Sequence, residues 1–521
     1  MQNTLRRLSR GIGLGVLSAA AAAALLPSAA SAEAPKGELV VAMPLLRQQF
    51  DPTLQIAIPD FGTYQLLFDG LLNLGSDGKI PGLAESWTVS EDGKQLDFKL
   101  RAGIKFHNGD ALTAEDVKFT YERLLQPGNT HSYRQAFVEL LERVEAVAPE
   151  HVRFHLKGPW PAFFTSARYP LVGIVPKAYY EKVGPKGFQN APIGTGPYKL
   201  AGLQAAEWNR FEANADYWGG APNVKTVTIR LVKEPFTSYA MLERGEADIV
   251  VGLTGPLLDR IRSNPKLRVV LSKYNGTSGL YFNKKSFPQS ADKRVRQAVG
   301  LAVNREAIAK NLLSGICEPA SSIFTPVTYG FKDGLPLVGY DPEKAKGLLK
   351  EAGVQPGTTV TYTLHTESFA SLPNAPQVLE AIAGNLEAVG FKVERKPFES
   401  SAWMAMMRGG KQPSIFYGPS SLPDDGGETI NGWYTSRSVW SSGNINIPEY
   451  DDIFKKQLQL SNPDERTALL RKFAELETKN VESAPLFWCH TPFAVSSRIK
   501  SWAPGLGSGY HLNLHKLEFA N

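Results

Sequence analysis

The sequence predicts an α/β protein with mixed sheets, divided into two or more lobes. Three observations carry that reading. Short alternating strands and amphipathic helices follow each other from end to end. The 521 residues exceed what one hydrophobic core holds. No Pro/Ser-rich linker or tandem repeat separates one half from the other, so the lobes are expected to be joined by crossing strands.

The first element is a leader. Arg6, Arg7 and Arg10 form a basic start, and Gly11 to Leu26 is free of charge. Pro27 and the small residues Ser28-Ala29-Ala30-Ser31-Ala32 follow. This pattern predicts a signal peptide over 1–32, cleaved after Ala32. The uncharged run is shorter than the roughly 20 residues of a spanning helix, and no later stretch is apolar enough to span. An oxidising compartment then permits a disulfide between Cys317 and Cys489, although two buried thiols satisfy the sequence equally.

Without the leader's three arginines, 54 Lys and Arg face 51 Asp and Glu. This small excess, with no basic block, does not point to nucleic acid.

Glu38 to Met43 reads as a buried strand, ending in the loop Leu46-Arg47-Gln48-Gln49-Phe50-Asp51-Pro52. Trp87-Thr88-Val89 and Leu96 to Leu100 alternate around Asp92-Gly93, a hairpin pattern. Thr113, with Asp116 three residues on, caps a helix whose apolar face is Val117, Tyr121 and Leu124. Asp292 and Asn304 cap two further helices. Asp341-Pro342 opens another, which closes at Gly353.

Catalytic constellations are missing. There is no G-x-S-x-G, H-E-x-x-H or P-loop pattern, and no motif calls for a cofactor. His151 and His155 alternate with Val152, Phe154 and Leu156, which places them on a strand about 13 Å apart, too far for one metal ion. Asp424-Asp425 stands in a Pro/Gly-rich loop and reads as a solvated pair. An enzyme is not expected.

Several motifs fall in order along the chain: G-L-L-N-L at 70–74, P-G-L-A-E-S-W at 81–87 and L-R-A-G-I-K-F-H-N-G-D-A-L-T-A-E-D-V-K-F-T-Y at 100–121. N-A-P-I-G-T-G-P-Y-K-L at 190–200, G-E-A-D-I at 245–249 and V-R-Q-A-V-G-L-A-V-N-R-E-A-I at 295–308 follow. Together they resemble the extracytoplasmic solute-binding proteins of family 5, the dipeptide, oligopeptide and nickel type. Most of these residues serve the fold; Gly194 and Gly196, for example, suit a turn that needs bare backbone.

The resemblance implies a two-lobed periplasmic binding protein fold, a Venus flytrap with an extra subdomain. Lobe I would comprise 33–275 plus 490–521, with 77–190 as the subdomain, and lobe II would comprise 276–489. It also implies a monomer in the periplasm that captures a small polar solute or peptide and delivers it to an ABC permease and its ATPase. The solute would be oligopeptide-like, opine-like or sugar-containing. A binding module with another use, such as ligand presentation to a sensor or chaperoning, is the alternative.

In peptide binders of this type an acidic residue after a strand end holds the ligand amine, and in the dipeptide type an Arg holds its carboxylate. Here Pro419 and Ser420 follow the strand Ser414 to Gly418, with Asp424 and Asp425 further on, and Glu367 or Ser368 stands where the Arg is expected. A buried carboxylate without a cationic partner is costly. The expected ligand is therefore neutral or cationic and is held partly by aromatic rings. Tyr417, Trp433, Tyr434 and Trp440 are the aromatic candidates. Arg47 and Gln48 in the first loop, Asn275 and Thr277 at the hinge, and Glu367 and Asp424 complete the ligand-binding set. His365 and His490 lie near the expected cleft without the spacing of metal ligands.

Overall fold

The computed structural model describes residues 36–520, apart from 47–48, 55–60, 76–77, 132–133, 164–171, 275, 369–370, 421–424, 439, 441–443, 461 and 506–510. The expected leader, Arg47, Gln48, Asn275 and Asp424 lie outside the described residues.

Two large mixed sheets organise the chain. The first has seven strands in the order Leu267–Leu271, Pro492–Ser496, Ile249–Val251, Lys36–Met43, Val224–Leu231, Trp208–Ala213 and Tyr198–Gln204. Its centre is parallel: Lys36–Met43 pairs in parallel with both Val224–Leu231 and Ile249–Val251. Such strands must be apolar on both faces. Accordingly Leu39, Val41, Ala42 and Met43 are all buried.

The second sheet has six strands in the order Cys317–Pro319, Ser483–Cys489, Gly276–Phe282, Ile415–Ser420, Thr359–His365 and Lys392–Phe398. Thr359–His365 pairs in parallel with both Lys392–Phe398 and Ile415–Ser420. One face packs Leu280, Tyr362 and Tyr417 against helix Ala375–Ala388 through Ile382 and Leu386. The other face packs Tyr281 and Phe416 against Trp433, Tyr434, Tyr450 and Phe473.

The expected hairpin forms the first half of a separate four-stranded sheet, Ala84–Val89, Gln95–Leu100, His151–Leu156 and Leu141–Ala148. The capped helix, Ala114–Leu125, covers one face of it with Val117, Tyr121 and Leu124. Thr113 and Asp116 form the expected capping box. On the open face His151 bonds Asp97 and His155 bonds Glu145, so each histidine has its own carboxylate.

The other caps also form: Asp292 accepts from Arg294 N, Asn304 from Ala307 N and Asp341 from Lys344 N. Gly353 takes φ +74° after the last helix of these three. Gly194 and Gly196 are required by proximity, with no positive φ at either. A Cβ at Gly194 would stand 2.1 Å from the Leu67 carbonyl oxygen, and Gly196 N donates to that same oxygen.

The chain passes between the two large sheets twice. Leu267–Leu271 belongs to the first and Gly276–Phe282 to the second; Ser483–Cys489 belongs to the second and Pro492–Ser496 to the first. The connecting residues 272–274 and 490–491 lie side by side. Ser272 N donates to Thr491 O at 3.0 Å, and Thr491 N donates to Ser272 Oγ at 2.9 Å. Beside this crossing Cys317 and Cys489 are disulfide-bonded, with their Cα atoms 4.1 Å apart. The bond settles the two sequence alternatives: the cysteines are directly paired residues of adjacent antiparallel strands.

Candidate functional site

Ligands of open α/β sheets bind outside the carboxyl ends of the parallel strands. In the first sheet those ends are Met43, Leu231 and Val251; in the second they are His365, Phe398 and Ser420. Both sets lie at the crossing. In the first sheet Leu271 pairs with Pro492, and Gly252 N donates to Pro492 O. In the second, Thr277 pairs with Ser420 on one side and Trp488 on the other. The two edges therefore share a border at the crossing.

On the first edge, the chain leaves Met43, passes 44–50 and is fixed at Asp51. Asp51 is buried. Its carboxylate accepts from Thr53 N at 2.9 Å, Thr53 Oγ1 at 2.7 Å, Arg123 Nη2 at 3.0 Å and Tyr180 OH at 2.8 Å. The Arg123 guanidinium also lies 3.6 Å from the centre of the Tyr180 ring.

The second edge is built similarly. After Ser420 comes Asp425, buried. Its two oxygens accept from Arg466 Nη1 and Nη2, both at 2.7 Å, and Oδ1 also accepts from Gly427 N at 2.8 Å. Asp425 is thus an ion-paired helix cap, which corrects its reading as solvated. A buried carboxylate whose charge is already matched by a bidentate guanidinium is a poor partner for a ligand amine. Nothing in the sequence pairs it with Arg466, 41 positions away.

The predicted aromatic residues separate onto two faces. Tyr417 is fully buried among the residues that pack helix Ala375–Ala388, and its hydroxyl bonds Ser371 at 3.1 Å. Trp433 lies on the opposite face. It continues a stack in which Tyr281 and Trp433 are 4.4 Å apart, Trp433 and Trp440 6.1 Å, and Trp440 and Trp403 6.1 Å, with interplanar angles of 22°, 23° and 13°. Gly418 makes room for it: a Cβ there would sit 2.5 Å from the Trp433 ring. Trp433 and Trp403 are 7% and 5% exposed, while Trp440 is half-buried. Tyr434 is buried and bonds Ser483.

Glu367 is exposed at the end of Thr359–His365 and accepts a hydrogen bond from Ser400 Oγ. His365 ends that strand with its ring 5.4 Å from Trp403 and 5.3 Å from Tyr417. Burial pushes its imidazole down to about 4, against a smaller opposing pull from Glu367, so the ring is neutral at neutral pH. Thr277 is buried at the start of its strand. Among the described residues, no group of three or more His, Cys, Asp or Glu could hold a metal ion.

Sequence reasoning missed Trp403 and Trp488. Trp403 was discoverable, because it sits in the first turns of a helix that directly follows a parallel strand. Tyr274 and Trp488 meet only through the crossing, with rings 6.1 Å apart.

The family model for "Bacterial extracellular solute-binding proteins, family 5 Middle" matches residues 79–441. The chain is 30% identical over 476 residues to the glutathione-binding protein GsiB of Escherichia coli O1:K1, covering 88% of this chain and 89% of that one. It is 28% identical over 435 residues to di/tripeptide-binding protein 2 of Pseudomonas aeruginosa, covering 79% and 81%. Among solved structures, HbpA2 from Haemophilus parasuis superposes with a TM-score of 0.83 at 22% identity, covering 93% of this chain and all of that one. A two-lobed fold with its edges turned to a hinge, and a family match over most of the length, lead to one conclusion: the chain belongs to the bacterial extracellular solute-binding proteins of family 5.

Proposed function

We propose that the chain, after cleavage behind Ala32, works in the periplasm as the monomeric substrate-binding subunit of an ABC importer. It captures a small polar solute between its lobes and delivers it to the permease. Lobe I comprises 33–275 plus 490–521, with 77–190 as its subdomain, and lobe II comprises 276–489. The observation that carries this reading is that both sheets turn their parallel-strand carboxyl ends toward one double crossing. A solute there touches both lobes, and only a ligand with unequal affinity for the open and closed forms shifts their balance.

The ligand is a neutral or cationic solute of oligopeptide, opine or sugar-containing type. Relatives named for di/tripeptide and glutathione binding and solved neighbours with mannopinic or agropinic acid support that size class. The engagement of Asp425 with Arg466 counts against a plain peptide amine held at that position. Arg47, Gln48, Asn275, Thr277, Glu367, Asp424, Trp433 and Trp440 remain the lining residues of the proposal; Tyr417 supports them from the core.

The test is native mass spectrometry of the protein purified without refolding, followed by identification of whatever is released. One neutral or cationic molecule, rebinding the emptied protein, is expected. A ladder of peptides would overturn the case against a peptide amine held after Ser420, and turnover of the bound molecule would overturn the transport role. N-terminal sequencing of the exported protein should begin at Glu33.

A further inference from the structure

The hinge contains a covalent bond that solute capture does not require. Cys489 is the last residue of Ser483–Cys489, directly before the crossing residues His490 and Thr491. Its partner Cys317 begins Cys317–Pro319, a three-residue strand at the edge of the second sheet. His490 N donates to Ile316 O at 2.9 Å, one residue before that cysteine. His490 Nδ1 lies 2.7 Å from Ser272 O in the other crossing segment. The Tyr274 ring packs on His490 at 4.5 Å. Burial and, after it, the neighbouring Glu318 carboxylate push the Tyr274 phenol up to about 12. Glu318 follows Cys317 directly.

A hinge bends reproducibly when its ends are fixed and a few residues between them absorb the change. An edge strand of three residues is by itself a poor fixed end, because its few ladder hydrogen bonds fray readily. We infer that the Cys317–Cys489 disulfide is the fixed end. It clamps one crossing to the second lobe at residue 489, confines bending to His490–Thr491 and Ser272–Tyr274, and so sets the balance between open and closed forms. Without it the fixed point retreats into Ser483–Cys489, and Tyr274, His490 and Glu318 lose their common support. The inference rests on the reading that the two lobes close over a solute.

The experiment is hydrogen–deuterium exchange on the full chain without added solute, resolved at the amides of residues 272–274 and 490–491. Wild type is compared with a C317S/C489S double variant and with folded wild type reduced by dithiothreitol and then alkylated. In the reduction, Cys317 and Cys489 each gain one electron and one proton, while one dithiothreitol is oxidised to its cyclic disulfide. Exchange at the crossing amides is expected to rise by at least about tenfold in both altered forms, with Val224–Leu231 and Lys392–Phe398 unchanged. Unchanged exchange at the crossing would overturn the inference. A uniform rise over the second sheet, or unfolding of both altered forms, would also overturn it by making the disulfide a general stabiliser. Because no solute is present, the result is independent of the transport reading. If the crossing loosens while no solute ever closes the lobes, the transport reading fails and the clamp stands.

Discussion

The two large sheets fix the loops beyond their parallel-strand carboxyl ends with the same pair of residue types and very different geometry. On the first edge Arg123 gives Asp51 one hydrogen bond, shared with Tyr180 and Thr53. On the second, Arg466 grips Asp425 with two, donates Nε to Gln457 at 2.8 Å, and lies 5.0 Å from the Tyr329 ring. The first anchor spreads its carboxylate over several neutral donors and so survives the loss of one. The second concentrates both charges in one bidentate contact, away from water, where an abandoned partner is expensive.

The largest expected effect follows from that concentration. Arg466→Ala leaves Asp425 buried and unpaired and should cost about 3–5 kcal/mol in urea unfolding. Arg123→Ala should cost less, about 2 kcal/mol, since Tyr180 and Thr53 remain on Asp51. Equal losses in the two variants would remove the distinction between the anchors. Next comes Gly418→Ala, which places a methyl group against the Trp433 ring. Overpacking of this kind costs about 1–3 kcal/mol and should alter the near-ultraviolet circular dichroism of the aromatic stack. An unaltered spectrum would mean that Trp433 is not seated over this strand.

The most gradual effect is a pH slope, and it arises on the helix that carries Arg466. Pro463–Asn480 also bears Glu477, which accepts from Tyr450 OH, Ser483 N and Ser483 Oγ. Burial raises this carboxyl from 4.5 to about 8, outweighing those hydrogen bonds. Folded chains therefore hold a proton that unfolded chains have released between these two values. The associated stability is complete below pH 4.5 and is lost as pH rises toward 8, by at most about 1.4 kcal/mol per pH unit. Glu477→Gln should flatten that part of the pH profile of unfolding. A variant with the wild-type slope would assign the effect elsewhere.

Local structure was legible because its causes are local. Thr113 with Asp116, Asp292, Asn304 and Asp341 each cap within three residues of themselves, so a short window contains both donor and acceptor. Strand alternation was equally readable at His151 to Leu156, and it set His151 and His155 apart, each beside its own carboxylate. The candidate site was legible only by position. Thr277 stands near the start of Gly276–Phe282 and Glu367 just past the end of Thr359–His365, because a strand's end is a sequence property.

What the strands meet there is not such a property. A one-residue alternation sends Phe416 and Tyr417 to opposite faces of one sheet, and which face meets Trp433 depends on a helix that follows a later loop. Asp425 was misread because its partner arrives from a helix 41 residues on. By itself, the sequence determined the elements, their caps and the family, since these depend on neighbours along the chain. The tertiary structure alone decided which carboxylates are already occupied, which aromatic rings stack, and that Cys317 and Cys489 close beside the crossing, because those depend on contacts between segments that only folding brings together.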